Sequence, residues 1–114
     1  AFPVAADTVI YMGSMVAVNS SGYAVPAADA AGLIVAGVAS AQADNTGGAA
    51  GDVDVIARRG VFGVELSATN PPTSSDIGVV YVEDDQTAST AIGTNSIEAG
   101  ELLGVDDAYA WVRI

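Results

Sequence analysis

Apolar residues in this chain come in short runs, each closed by glycine, proline or a cluster of Asn, Asp and Ser. None keeps the i, i+3, i+4 spacing through the roughly twelve residues that a marginally stable amphipathic helix needs. Strands tolerate such interruption, because glycine and Asn/Asp supply the turn conformations that let a short strand reverse. The punctuation therefore predicts an all-β chain. Strands are expected over Thr8–Met12, Ser14–Val18, Tyr23–Pro26, Leu33–Gln42, Asp52–Arg58, Val61–Leu66, Val79–Glu83, Gln86–Ala91, Ile97–Val105 and Ala108–Ile114. Two of these alternate cleanly with period two. Val53, Val55 and Ala57 oppose Asp52, Asp54, Ile56 and Arg58, and Phe62, Val64 and Leu66 oppose Val61, Gly63 and Glu65. In the last run Tyr109 and Trp111 share one face, while Ala110, Val112 and Ile114 share the other. In Leu33–Gln42 the pattern places Ile34, Ala36 and Val38 together.

Connections carry their own signals. Asn19-Ser20-Ser21-Gly22 reads as a turn, Pro71-Pro72 stops any ladder within Ser67–Ser75, and Thr73–Asp76 is set to cap one helical turn ending at Gly78. Gly60 is either a tight turn or a kink within one long strand. Asp44–Gly51 holds no bulky side chain and reads as a loop with no core of its own. Roughly seven to ten short strands with regular turns point to one small β-barrel or sandwich spanning residues 8–114.

The first seven residues, Ala1, Phe2, Pro3, Val4, Ala5, Ala6 and Asp7, read as an extended N-terminal arm, since Pro3 fixes its own φ and pushes Phe2 toward extended geometry. Phe2 and Val4 give this arm apolar side chains. Two readings stand: the arm lies on a partner, or it folds back on its own core.

Charge narrows the function classes. With 14 acidic residues, three basic ones, no His and a net charge of −11, the chain has no basic footprint for nucleic acid or for an anionic membrane surface. No basic segment precedes an apolar run, so no signal peptide is expected. No Cys and no His leaves no thiol nucleophile, no histidine base and no zinc set. No catalytic residue, metal ligand or cofactor is assigned. Gly47–Asp52 resembles a single, out-of-register calcium-repeat motif. The carboxylates Glu83, Asp84, Asp85, Asp106 and Asp107 lack the alternating spacing of a calcium loop and read as solvated turns. Arg58 and Arg59 are the sharpest feature. Adjacent in a strand, they point to opposite faces. Either each pairs with a nearby Asp of its own chain, or one of them reaches a carboxylate on a neighbouring subunit, where a planar guanidinium is favoured.

A family resemblance rests on the order of several segments. They are Ser20–Asp29, Gly37-Val38-Ala39, Asp44–Gly51, Arg59-Gly60-Val61-Phe62, Asp76-Ile77-Gly78, Val80-Tyr81-Val82, Asp84–Thr87 and Ala110-Trp111-Val112. Together, from about Val9 to Ile114, the chain resembles the small capsid decoration, or cement, proteins of tailed bacteriophages and Mu-like prophages, related in role to lambda-type head decoration proteins. The resemblance implies a β-rich structural virion protein without catalysis. It would assemble in the host cytoplasm as a homotrimer on the outside of the expanded head, where it would bind the major capsid protein at threefold and quasi-threefold positions. It also implies that residues 1–7 extend onto the capsid. The alternatives from the residues themselves are a carbohydrate- or calcium-binding β module and, as a remainder, a small hydrolase using paired carboxylates.

Overall fold

The computed structural model describes residues 1–114, and the fold is all-β in one domain. Its strands are β1 (Phe2–Pro3), β2 (Val9–Ile10), β3 (Met15–Val18), β4 (Ala24–Pro26), β5 (Ile34–Ala39), β6 (Ala43–Asp44), β7 (Asp54–Val55), β8 (Ala57–Arg58), β9 (Val61–Leu66), β10 (Gly78–Asp84), β11 (Thr87–Ser89), β12 (Glu98–Val105) and β13 (Tyr109–Arg113). The expected cap is present at Ser74–Asp76: Thr73 and Asp76 bond reciprocally around a single 3-10 turn. Asn19 makes its turn as its chemistry dictates, with Oδ1 accepting the Ser21 and Tyr23 N–H groups at 3.0 Å each.

The second half closes into a five-stranded barrel in the order β10-β11-β9-β13-β12, and only the β11–β9 pair is parallel. The first half forms the sheet β4-β3-β5-β8, flanked by the small pairs β1–β7 and β2–β6. Two cores result. Val64, Val80, Val82, Leu102 and Val112 fill the barrel, and Met15, Ala17 and Val38 of the sheet pack against them. On the other side of the sheet, Val4, Ile10, Val16, Ala24, Ala39, Ala43 and Val55 make a second, smaller core. Alternation along β3 explains the division: Met15 and Ala17 face one core and Val16 the other, so the strand is buried on both sides. The cores lie in line, and the molecule extends 43 × 26 × 19 Å.

Gly60 is the kink, not the tight turn. Its N–H and C=O pair with Ile114 at 3.1 and 2.8 Å, and the chain passes through it from β8 in the sheet to β9 in the barrel. The expected strand 52–58 is split at Ile56 into β7 and β8, which pair with different partners, β1 and β5. Its in-and-out pattern holds nonetheless, with Val55 buried and Asp54, Ile56 and Arg58 exposed. Ile34 departs from the expected face. It stands 75% exposed at the start of β5 although Ala36 and Val38 are buried, because the register shift between the Val16–Gly37 and Ala17–Val35 pairs puts Val35, not Ile34, on the barrel core with Val38.

The first residues run extended only as far as Ala5, with Ala6 and Asp7 in a turn, and they are not a free arm. Phe2 and Pro3 pair with Val55 and Asp54, Val4 is fully buried, and its N–H donates to Val53 O at 2.9 Å. The segment is a strand of the second core, for the simple reason that Val4 completes an apolar cluster its own chain supplies. Burying a valine side chain is worth about 1.5–3 kcal/mol. Val4→Ala is therefore expected to lower stability by about 1–2 kcal/mol, read as a lower denaturant midpoint at unchanged slope. Removal of residues 1–7 should lower it further, and an unchanged midpoint for both would show that the second core does not need this segment.

Candidate functional site

The loop Asp44–Gly51 and the first residues bind one another. Asn45, 3% exposed, donates from Nδ2 to Ala5 O and Ala49 O at 2.9 Å each. The Gly47 N–H donates to Asp7 Oδ1 at 2.8 Å, and the Gly51 N–H to Val4 O at 2.9 Å. Small residues are required here because backbone and a buried amide occupy the space; a Cβ on Gly48 would overlap Asn45 Oδ1. Asp52 Oδ2 accepts the Ala49 N–H at 3.0 Å, so the calcium-like segment 47–52 uses its carboxylate to close its own turn. Of the candidate arm residues, Val4, Ala5 and Asp7 are thus engaged internally.

Phe2, although paired with Val55, also lines a groove that holds Arg59. Two open grooves of about 370 and 470 Å³ meet at Ile34, Val35 and Arg59. One continues over Leu33, Ile97 and Ile114, the other over Phe2, Val18 and Asn19. Arg58 and Arg59 are both exposed, and neither forms an ion pair; the single salt bridge joins Arg113 to Glu101 at 3.1 Å. Pairing of Arg58 and Arg59 with an Asp of their own chain is therefore not what the structure shows. The position of Arg58 depends on a close strand approach. A Cβ on Gly37 would lie 2.5 Å from Arg58 O, so only glycine lets β8 sit against β5. The structure thus brings Arg59 and Phe2 to one surface and gives Arg58 a place on the edge strand of the sheet.

Sequence reasoning missed Ile34 as part of this surface. Its neighbours Leu33 and Val35 both pack on the barrel core, and nothing in the run Leu33–Val35 marks which side chain turns away from it.

The acidic turns at the opposite edge of the barrel hold their carboxylates for local use. Asp84 Oδ1 accepts the Gln86 N–H at 2.9 Å. Asp106 accepts the N–H groups of Ala108 and Tyr109 at 2.9 and 2.8 Å through Oδ1, and the indole N–H of Trp111 at 2.9 Å through Oδ2. The Ala108 N–H first, then the indole and the Tyr109 N–H, hold the Asp106 carboxyl below its ordinary value. Asp29 is lowered chiefly by the Thr94 and Asn95 N–H groups, and Asp44 by the Thr46 hydroxyl and N–H. No family model matches this chain, and no curated protein or solved structure shows a significant match to it.

The three lowered carboxyls set a pH dependence with a definite sign. Each favours its ionised form in the fold, so its stabilising effect is complete above the unfolded Asp value of about 3.9 and is lost as pH falls through the lower folded value. Asp106→Asn should accordingly be less stable than the parent at neutral pH, and the difference should close below that value. A difference that persists in acid, measured by denaturant midpoints across the pH range, would show that ionisation is not the source.

Proposed function

We propose that this chain is a head decoration subunit of a tailed bacteriophage. It acts without catalysis, assembling with copies of itself as a trimer on the outside of the expanded head and binding the major capsid protein at threefold and quasi-threefold positions to stabilise the shell. The ordered resemblance from Val9 to Ile114 supports this reading, and so does the all-β fold. The observation that carries it is the surface where Ile34, 75% exposed, and the unpaired Arg59 stand between two open grooves. An exposed large aliphatic beside an unpaired guanidinium is the composition of a contact surface, where an apolar anchor supplies area and arginine supplies direction.

The charge distribution agrees with such a role. Most charged side chains are acidic, so the free subunit repels other acidic bodies, including DNA, while Arg58 and Arg59 stay exposed and unpaired. A subunit repeated over a shell gains from multivalency, so each contact can be modest and the layer still hold.

The test is to mix the chain with expanded and unexpanded heads of its phage. Occupancy of expanded heads is expected. Binding to neither form, or a virion that lacks the protein, rejects the proposal. Ile34→Asp should lower head occupancy while changing folding stability by less than about 0.5 kcal/mol, as is usual for an exposed position. Full occupancy by that variant would remove Ile34 from the contact.

A further inference from the structure

On the outer wall of the barrel, β13 and β9 build an aromatic surface that the internal packing of the chain does not need. Trp111 lies directly across from Gly63, and Tyr109 across from Glu65. The six-membered ring of Trp111 covers Gly63: a Cβ there would lie 3.2 Å from Cζ3 and Cη2. Tyr109 meets Trp111 edge-on, with centroids 6.3 Å apart and planes at 63°. The two rings are nonetheless 44% and 41% exposed. Beside them a cleft of about 180 Å³ runs between Glu65, Gln86, Tyr109 and the 71% exposed Met12.

The chemistry of this surface is one-sided. Glu65 and Asp106 bring carboxylates to it, both exposed. The indole N–H is already given to Asp106, and Arg113, two residues along β13, is already paired with Glu101. What remains is aromatic faces and charged acceptors with no free charged donor. That combination suits a guanidinium, which is planar, weakly hydrated, stacks on aromatic rings and forks onto carboxylates.

The chain carries such a group without a partner. Arg59 is exposed, forms no ion pair within its own chain, and stands with Ile34 between two open grooves. We propose that Arg59 of one copy docks on the Tyr109–Trp111–Glu65 surface of the next. The choice of a second copy as occupant rests on the self-assembly put forward above and on this charge complementarity. Donor and acceptor patches are different surfaces, so the contact is heterologous and propagates head to tail until it closes a ring.

Trp111 is the chain's single tryptophan, so its emission reports the contact directly. Sedimentation with fluorescence over a concentration series should show self-association and a concurrent shift of Trp111 emission. Arg59→Ala, Trp111→Ala and the milder Glu65→Gln should each weaken association roughly tenfold or more. Arg58→Ala should not, because that residue lines neither of the grooves that flank Arg59. The decisive measurement mixes Arg59→Ala with Trp111→Ala. Each associates only weakly alone, but the mixture retains one intact junction, so at a concentration where neither variant self-associates a heterodimer should form and the emission shift should return. Failure of Trp111→Ala to fold, judged by circular dichroism, moves this arm to Glu65→Gln as the acceptor-deficient partner.

Undiminished association of Arg59→Ala or of Glu65→Gln overturns the inference, as does equal weakening by Arg58→Ala. A monomer at every concentration overturns it too, as does an emission shift produced only by an added arginine-rich peptide. These outcomes leave the decoration reading standing or falling on head occupancy of the parent chain, which is measured separately.

Discussion

Everything in this molecule depends on a sheet that is buried on both sides. Met15 and Ala17 look into the barrel while Val16, between them, looks into the second core, and Val38 and Ala39 divide in the same way. A strand in that position has no solvent face and cannot carry polar residues, which is why Met15–Val18 is apolar throughout rather than alternating. The sheet is also held at its rim, where the Met15 N–H donates to Asp85 O at 2.7 Å and so anchors β3 to the turn between β10 and β11. Small residues dominate the cores because one thin layer has to serve two of them.

The same arrangement decides which parts of the surface are available. Ile34, paired with Val18 at the end of the sheet, belongs to neither core and has nothing of its own to cover it. Arg59 stands where the chain leaves the sheet for the barrel, again beyond either core. The exposed surface around Ile34 and Arg59 is therefore a by-product of joining two packed bodies, located at the join between sheet and barrel. The aromatic face on β9 and β13 has another origin. A glycine opposite a tryptophan lets the ring lie on the sheet, and an aspartate in the adjoining turn fixes its edge.

Period-two patterning made the barrel strands readable from sequence. The faces of β9 and β13, the final hairpin and the capped turn at Thr73 follow directly from residue order, because each is set by local chemistry. The first half was harder to read for a definite reason. Its expected strand 52–58 serves two partners in succession, and alternation alone does not reveal where pairing changes from β1 to β5. Asn45 was also opaque. In a loop of Gly, Ala and Thr it reads as one more polar turn residue, and only the position of Val4 and Ala5 turns it into a buried anchor. For the same reason the first residues could be recognised as extended but not placed. Of the candidate surface, the two arginines were visible as charges, whereas Ile34 and the ring on Gly63 depend on neighbours distant in sequence.

The place of β13 between β9 and β12 has a consequence for how the chain is made. Every residue of the second core lies between Val4 and Val55, so on a ribosome that body can assemble while the rest is still being synthesised. The barrel cannot close until residues 109–113 have emerged, since they supply the strand that joins its two halves. During that interval Met15, Ala17 and Val38 face water on one side of an otherwise finished sheet. A strongly acidic chain is well suited to that wait, because nascent copies on neighbouring ribosomes repel one another while their unfinished faces are open.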